Sequence, residues 1–208
     1  MAVANLTRRL LTGVLMIPVH VVEGLAVRWE LARELYQALA AVYEPGRRFY
    51  YFGEDHFEAA LQASDRVLEL GSGTGYLARR LARHAGKVIG IEREWRMVRE
   101  AVKRGGAVQY VVGDMTKLPF KSGSFDHCAS LGAFHCADPE TFFSETCRVL
   151  RPGGKALVLS EVRVIPLFAP HVGLEPTREA LRRSGMKLQS EIRISGIYRL
   201  FRASKRQE

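Results

Sequence analysis

The stretch RVLELGSGTGY, Arg66–Tyr76, decides the fold. Its first five residues are an apolar run broken by Glu69, which reads as a buried strand. Gly71, Gly73 and Gly75 then alternate with small residues, and the helix-forming segment GYLARRLARHA follows. Strand, glycine loop and helix in this order aim backbone N–H groups and a helix N-terminus at a ligand of nucleotide type. The nucleoside-triphosphate loop is excluded, because no Gly-Lys-Ser/Thr follows. A dinucleotide fingerprint needs its third glycine three residues after the second, and Tyr76 stands there.

Outward from the loop, strands and helices alternate. KVIGIE (Lys87–Glu92), AVQYVVGD (Ala107–Asp114), SFDHCASL (Ser124–Leu131) and KALVLSEVRV (Lys155–Val164) read as strands. EWRMVREAVKR and PETFFSETCRVL read as helices between them, the second ended by RPGG. The alternation predicts a doubly wound, mostly parallel sheet with right-handed crossovers. After the helix EPTREALRRSG, the segments KLQSEIRI and IYRLFRAS are separated by only Ser195-Gly196. So short a connection predicts a hairpin, which adds an antiparallel strand to a seven-stranded sheet.

Residues 1–63 read as a helical arm and 64–208 as the ligand-binding domain. Leu25, Trp29, Leu35, Leu39 and Val42 follow a helical period, Pro45-Gly46 breaks it, and a short helix runs from Asp55 to about Ala63. The apolar run Leu10–Val22 is too short to span a bilayer and is interrupted by Pro18 and His20. It fits an amphipathic arm that packs on the body, pairs a homodimer or lies against a membrane surface. Three widely spaced cysteines make no disulfide framework and predict a cytoplasmic setting. Cys128, Cys136 and Cys147, spaced by 8 and 11 residues, lack metal-ligand spacing, so no metal is expected. The net charge is +9, and from Pro176 to Glu208 there are nine Lys/Arg against three Asp/Glu, a surface suited to an anionic partner.

Glu69, Glu92 and Asp114 fall at the carboxyl ends of the first three strands, the edge where open α/β sheets bind ligands. Glu92, 21 residues after Gly71, can accept from ribose hydroxyls, and Asp114 from an adenine amine. At this point the chain resembles the class I S-adenosylmethionine-dependent methyltransferases of small-molecule, UbiE-like type. VLELGSGTGYLARRLA, VIGIE, VGDMTKLPF, SFDHCASLGAFHCADPETFFSETCRVLRPGG and KALVLSEV carry the resemblance, over about residues 64–164. It implies S-adenosylmethionine as cofactor and S-adenosylhomocysteine as product. Glu69, Gly71, Ser72, Gly73 and Gly75 would hold the methionine end, and Glu92 with Arg93 the ribose side. Asp114 and Met115 would hold adenine, and Ser130 and Leu131 would lie beside the methionine portion.

Such a cofactor carries its own electrophile, so transfer is an in-line displacement that the protein has only to align. His135, just past the fourth strand, is the candidate base or acceptor contact. Tyr51, flanked by Tyr50 and Phe52, is the candidate aromatic lid over the sulfonium. The arm carries no acceptor-specific signature, and IPLFAPHVGL replaces the long substrate cap of many relatives. A small-molecule or lipid acceptor is expected first. RNA or protein methylation, guided by the basic surface, is the alternative, and a non-catalytic cofactor-binding scaffold is the third.

Overall fold

The computed structural model describes residues 53–161, 173–194 and 198–207. The predicted N-terminal helix, the Ser195-Gly196 connection and most of IPLFAPHVGL lie outside the described residues. In chain order the elements are α1 (Asp55–Glu58), β1 (Arg66–Leu70), α2 (Tyr76–Leu81), β2 (Lys87–Glu92) and α3 (Trp95–Lys103). Then come β3 (Val108–Val112), β4 (Phe125–Leu131), a 3₁₀ turn (Phe134–Cys136), α4 (Pro139–Val149) and β5 (Leu150–Glu161). The chain closes with α5 (Leu174–Arg183), β6 (Met186–Arg193) and β7 (Tyr198–Lys205).

The seven strands form one sheet in the order β3-β2-β1-β4-β5-β7-β6. β1 to β5 pair in parallel, while β7 runs antiparallel between β5 and β6. The alternating layout and the terminal antiparallel hairpin are therefore as the sequence predicts. Strand order reverses between β1 and β4, so the loops leaving these neighbours diverge and open a crevice at their carboxyl ends.

Each face of the sheet carries its own core. Leu68, Leu70, Cys128 and Val158 pack with the phenylalanines and with α5 on one side. Val67, Ala129, Leu157 and Leu159 pack with Phe57 and α2 on the other. The period-two alternation of strand side chains sorts them, and it will also sort the site residues. Phe134, Phe142 and Phe143, all fully buried, meet with ring centroids 4.9–5.1 Å apart. Asp138 starts α4 by accepting from Thr141 N at 2.9 Å, with Pro139 in the first turn.

The helix expected from Asp55 to Ala63 is only four residues long. Gln62 N donates to Asp65 Oδ2 at 2.7 Å, which turns the chain into β1 instead. This short helix belongs to the body, because Phe57 is buried and Arg80 of α2 bonds both Asp55 and Glu58. The Arg-Pro-Gly-Gly segment is extended and lies within β5, with a register irregularity opposite Phe125 and His127. No described helix is long and apolar enough to cross a membrane.

His127 of β4 is buried, with Nε2 3.1 Å from Asp65 Oδ2 and Nδ1 buried without a hydrogen-bond partner among the described residues. Desolvation holds its pKa below the ordinary value, against the pull of Asp65. A folded pKa below the unfolded one favours the neutral ring, so this contribution is present above about pH 6.5 and lost as pH falls through the folded value. Urea unfolding near neutrality and at mildly acid pH should show a smaller stability loss in His127→Gln than in the parent. Equal losses would show that the histidine does not couple folding to pH.

Candidate functional site

The crevice at the carboxyl ends of β1, β2, β3 and β4 is a cavity of about 350 Å³. Glu69, Glu92 and Asp114 all line it, together with Gly71, Ser72, Gly73, Arg93, Met115, Leu131 and His135. Three strand ends thus bring three carboxylates to one space. Leu77, Ile91 and Met97 add apolar wall.

The glycine loop is tied to β2. Gly71 N and Ser72 N donate to Ile91 O at 2.9 and 3.0 Å, and Gly73 N donates to Glu92 Oε2 at 2.9 Å. Gly75 N closes back on Ser72 O at 2.8 Å. The expectation that these N–H groups face the ligand is therefore corrected: the sheet and a carboxylate already engage them. What the loop offers instead is room. Gly73 has φ +52°, and a Cβ there would meet nothing within 4 Å. Ser72 Oγ is buried with no hydrogen-bond partner among the described residues.

Glu92 is half-buried. Its Oε1 accepts from Glu94 N at 2.9 Å while Oε2 holds Gly73. Burial pushes its carboxyl above the usual carboxylate range, and the backbone N–H groups of Glu94, Gly73 and Arg93 pull the other way. Asp114 lies beyond the end of β3, and its Oδ1 accepts from Thr116 N and Thr116 Oγ1, both at 2.7 Å. Those bonds, with a smaller contribution from the charge of Arg93, hold Asp114 below the usual range despite some desolvation. Asp114 Oδ2 carries no hydrogen bond from a described residue.

Two predicted residues do not reach the cavity. Ser130 is fully buried and donates to Leu70 O at 3.1 Å. It shares a sheet face with Cys128, whereas Glu69 pairs with Ala129 and so sides with Leu131. Gly75 has φ +74° and begins α2, and a Cβ there would sit 2.0 Å from Tyr110 Oη. Packing and backbone conformation account for it. Tyr51 lies outside the described residues.

His135 is half-buried in the 3₁₀ turn, whose Phe134 is anchored in the phenylalanine cluster. Beside it, Cys136, Asp138 and Thr141 also line the cavity, and the sequence reading did not include them. The Asp-Pro-x-Thr helix start was legible at 138–141, but a cap signal says nothing about facing a ligand. Thr116 and Met97 were missed likewise, one hidden in a turn and one on the buried stripe of α3.

Residues 68–158 match the family model described as a methyltransferase domain. Over 154 residues the chain is 32% identical to the ubiquinone/menaquinone biosynthesis C-methyltransferase UbiE of Bdellovibrio bacteriovorus, covering 67% of this chain and 66% of that relative. It is 38% identical over 111 residues to the demethylmenaquinone methyltransferase of Beutenbergia cavernae, covering 53% of this chain and 45% of that one. The chain thus spans about half to two thirds of the length of these curated relatives. A solved SAM-dependent methyltransferase from Aquifex aeolicus shares the fold, with a TM-score of 0.70 at 17% identity over 81% of this chain and 97% of that chain. Sequence match, relatives and fold agree: the chain belongs to the class I S-adenosylmethionine-dependent methyltransferases of UbiE-like type.

Proposed function

We propose that this chain methylates a small-molecule or lipid acceptor, using S-adenosylmethionine held in the 350 Å³ cavity. The observation that carries the reading is the convergence of Glu69, Glu92 and Asp114 beneath a glycine loop whose own N–H groups are engaged. A loop built for phosphate keeps those donors free. Here carboxylates face the space, which suits a cationic ligand bearing hydroxyl and amine donors.

The residues fit that cofactor. A carboxylate offers about four lone-pair sites, so Glu92 keeps acceptor capacity for a ribose hydroxyl beside the backbone N–H groups it already holds. Asp114 Oδ2 is open to an adenine amine, and Met115 packs beside it. Glu69 is placed for the methionine ammonium, Ser72 Oγ has capacity for one more partner, and Gly73 leaves the backbone bare for close approach. Bound there, the cofactor supplies a sulfonium methyl as electrophile. The chain's part is to orient an acceptor against it and to exclude water, and good alignment alone lowers a barrier by roughly 7–11 kcal/mol. Where the acceptor holds a proton at neutral pH, His135 takes it. The quinone-type acceptors named for two relatives support the small-molecule reading.

Calorimetry with S-adenosylmethionine, followed by assay of S-adenosylhomocysteine release with reduced quinones and lipids, tests the proposal. Absence of cofactor binding would overturn it.

Glu92 sets a pH dependence. Its raised pKa means that the carboxylate is protonated at a higher pH than an ordinary glutamate, and a protonated oxygen no longer accepts. Cofactor affinity should therefore fall as pH drops through that elevated value. Glu92→Gln should bind more weakly by about 1.5–3 kcal/mol, the loss of a charge-assisted bond, and should be flat over the same range. A parallel pH profile in parent and variant would remove Glu92 from the ribose site.

His135→Ala should leave cofactor affinity within about twofold while lowering kcat by roughly 10²–10⁴, the scale of general-base loss. An unchanged kcat with a raised KM would make His135 an acceptor contact and not a base.

A further inference from the structure

A second concavity, near 1020 Å³, shares no residue with the cofactor cavity. It lies over β5, β7 and β6, toward the amino end of the parallel strands. The register places Lys155, Ser204 and Lys187 side by side on adjacent strands, and Leu157, Arg202 and Ser190 in the next row. Arg206 continues the same face, two residues past Ser204, and the imidazole of His56 stands on the wall from α1.

The basic residues near the end of the chain differ in what surrounds them. Arg178, Arg182, Arg183 and Arg199 are matched by Glu175, Glu179, Glu140 and Glu191. Lys187, Arg202 and Arg206 gather in the concavity with Lys155, and no described carboxylate lines it, while Lys205 projects to the opposite face of the sheet and donates to Leu150 O at 2.9 Å. Arg202 Nη2 lies 3.1 Å from His56 Nδ1, so the ring nitrogen must accept. Arg202 Nε is buried without a hydrogen-bond partner among the described residues.

We propose that this groove binds the phosphodiester backbone of single-stranded nucleic acid. The cations are spread, not convergent. Lys155 and Lys187 stand two strand spacings apart, about 10 Å, and Arg202 is about 7 Å further along. One phosphate group cannot span that array, but a chain of phosphates can. Ser190 and Ser204 add hydroxyl donors for phosphate and sugar oxygens, with Ser204 Oγ accepting from Gln189 Nε2 at 2.7 Å. A membrane site would pair its cations with protruding apolar side chains, and this groove is concave with only alanine and leucine at its floor. It offers no phenylalanine, tyrosine or tryptophan for base stacking, so binding is indifferent to sequence and steep in salt.

Fluorescence anisotropy of a labelled short oligouridylate with the full chain tests this. Affinity should fall linearly with salt on logarithmic axes. The Lys187→Gln, Arg206→Gln double variant should lower affinity on the order of tenfold and reduce the slope by about 1.4, roughly 0.7 for each phosphate released. S-adenosylmethionine binding by the same variant should match the parent, which shows that it is folded. Failure of the parent to bind at low salt overturns the proposal. So does binding that the double variant retains, or equal binding of a poly-glutamate peptide. Uptake onto phosphatidylserine vesicles, lost in the variant while RNA is ignored, overturns it in favour of a lipid surface.

Discussion

The carboxylate of Glu92 is the joint on which the site depends. One oxygen holds Gly73 N of the loop after β1, and the other holds Glu94 N at the start of the next helix. With Gly71 and Ser72 bonded to Ile91 O, the loop is fastened along its length to the end of β2. Its glycines are required because the chain must fold tightly there. A Cβ at Gly71 would lie 2.2 Å from the Cβ of Ala133 on the loop after β4, so the two loops flanking the crevice nearly touch. The crevice opened by strand order is thereby narrowed to a cavity with a charged floor and a bare backbone wall.

Positioning on the other side of the cavity comes from the core and not from polar bonds. Phe134 is fully buried between Phe142 and Phe143, and it is the immediate neighbour of His135 in a three-residue turn. Removing a buried phenylalanine costs about 3–5 kcal/mol, so the turn cannot drift cheaply. Asp138 fixes the next segment by capping α4. The histidine is held on a packed scaffold, as a group that must meet an acceptor within ångströms has to be.

The parallel sheet, its reversal and the terminal hairpin were legible because hydrophobic runs, glycine loops and short connections each restrict the backbone locally. The three acids were legible for the same reason, as strand ends can be located from the run that precedes them. Which way a side chain points at a strand end is decided by parity. Ser130 and Leu131 are adjacent in sequence, yet Ser130 bonds Leu70 O on one face while Leu131 reaches the cavity on the other. Gly75 resembles its two companions in sequence, but Tyr110, 35 residues away, explains it. Thr116, Thr141 and Met97 carry no local sign of facing a cavity, since only the packed fold assembles it.

A chain of net charge +9 that holds a cationic cofactor needs its cations kept away from the site. The sheet provides the separation. Lys155 sits six residues before the end of β5, about 20 Å along an extended strand from the carboxyl edge. The screening length at physiological salt is about 8 Å, so the basic groove adds little to the potential at the acidic floor. Arg93 is the arginine or lysine that lines the cavity among the described residues, and it leans on Glu94 at 3.5 Å while helping to keep Asp114 ionised. The acidic cavity and the basic groove therefore sit apart on the same sheet, and a bulk count of lysines and arginines describes neither.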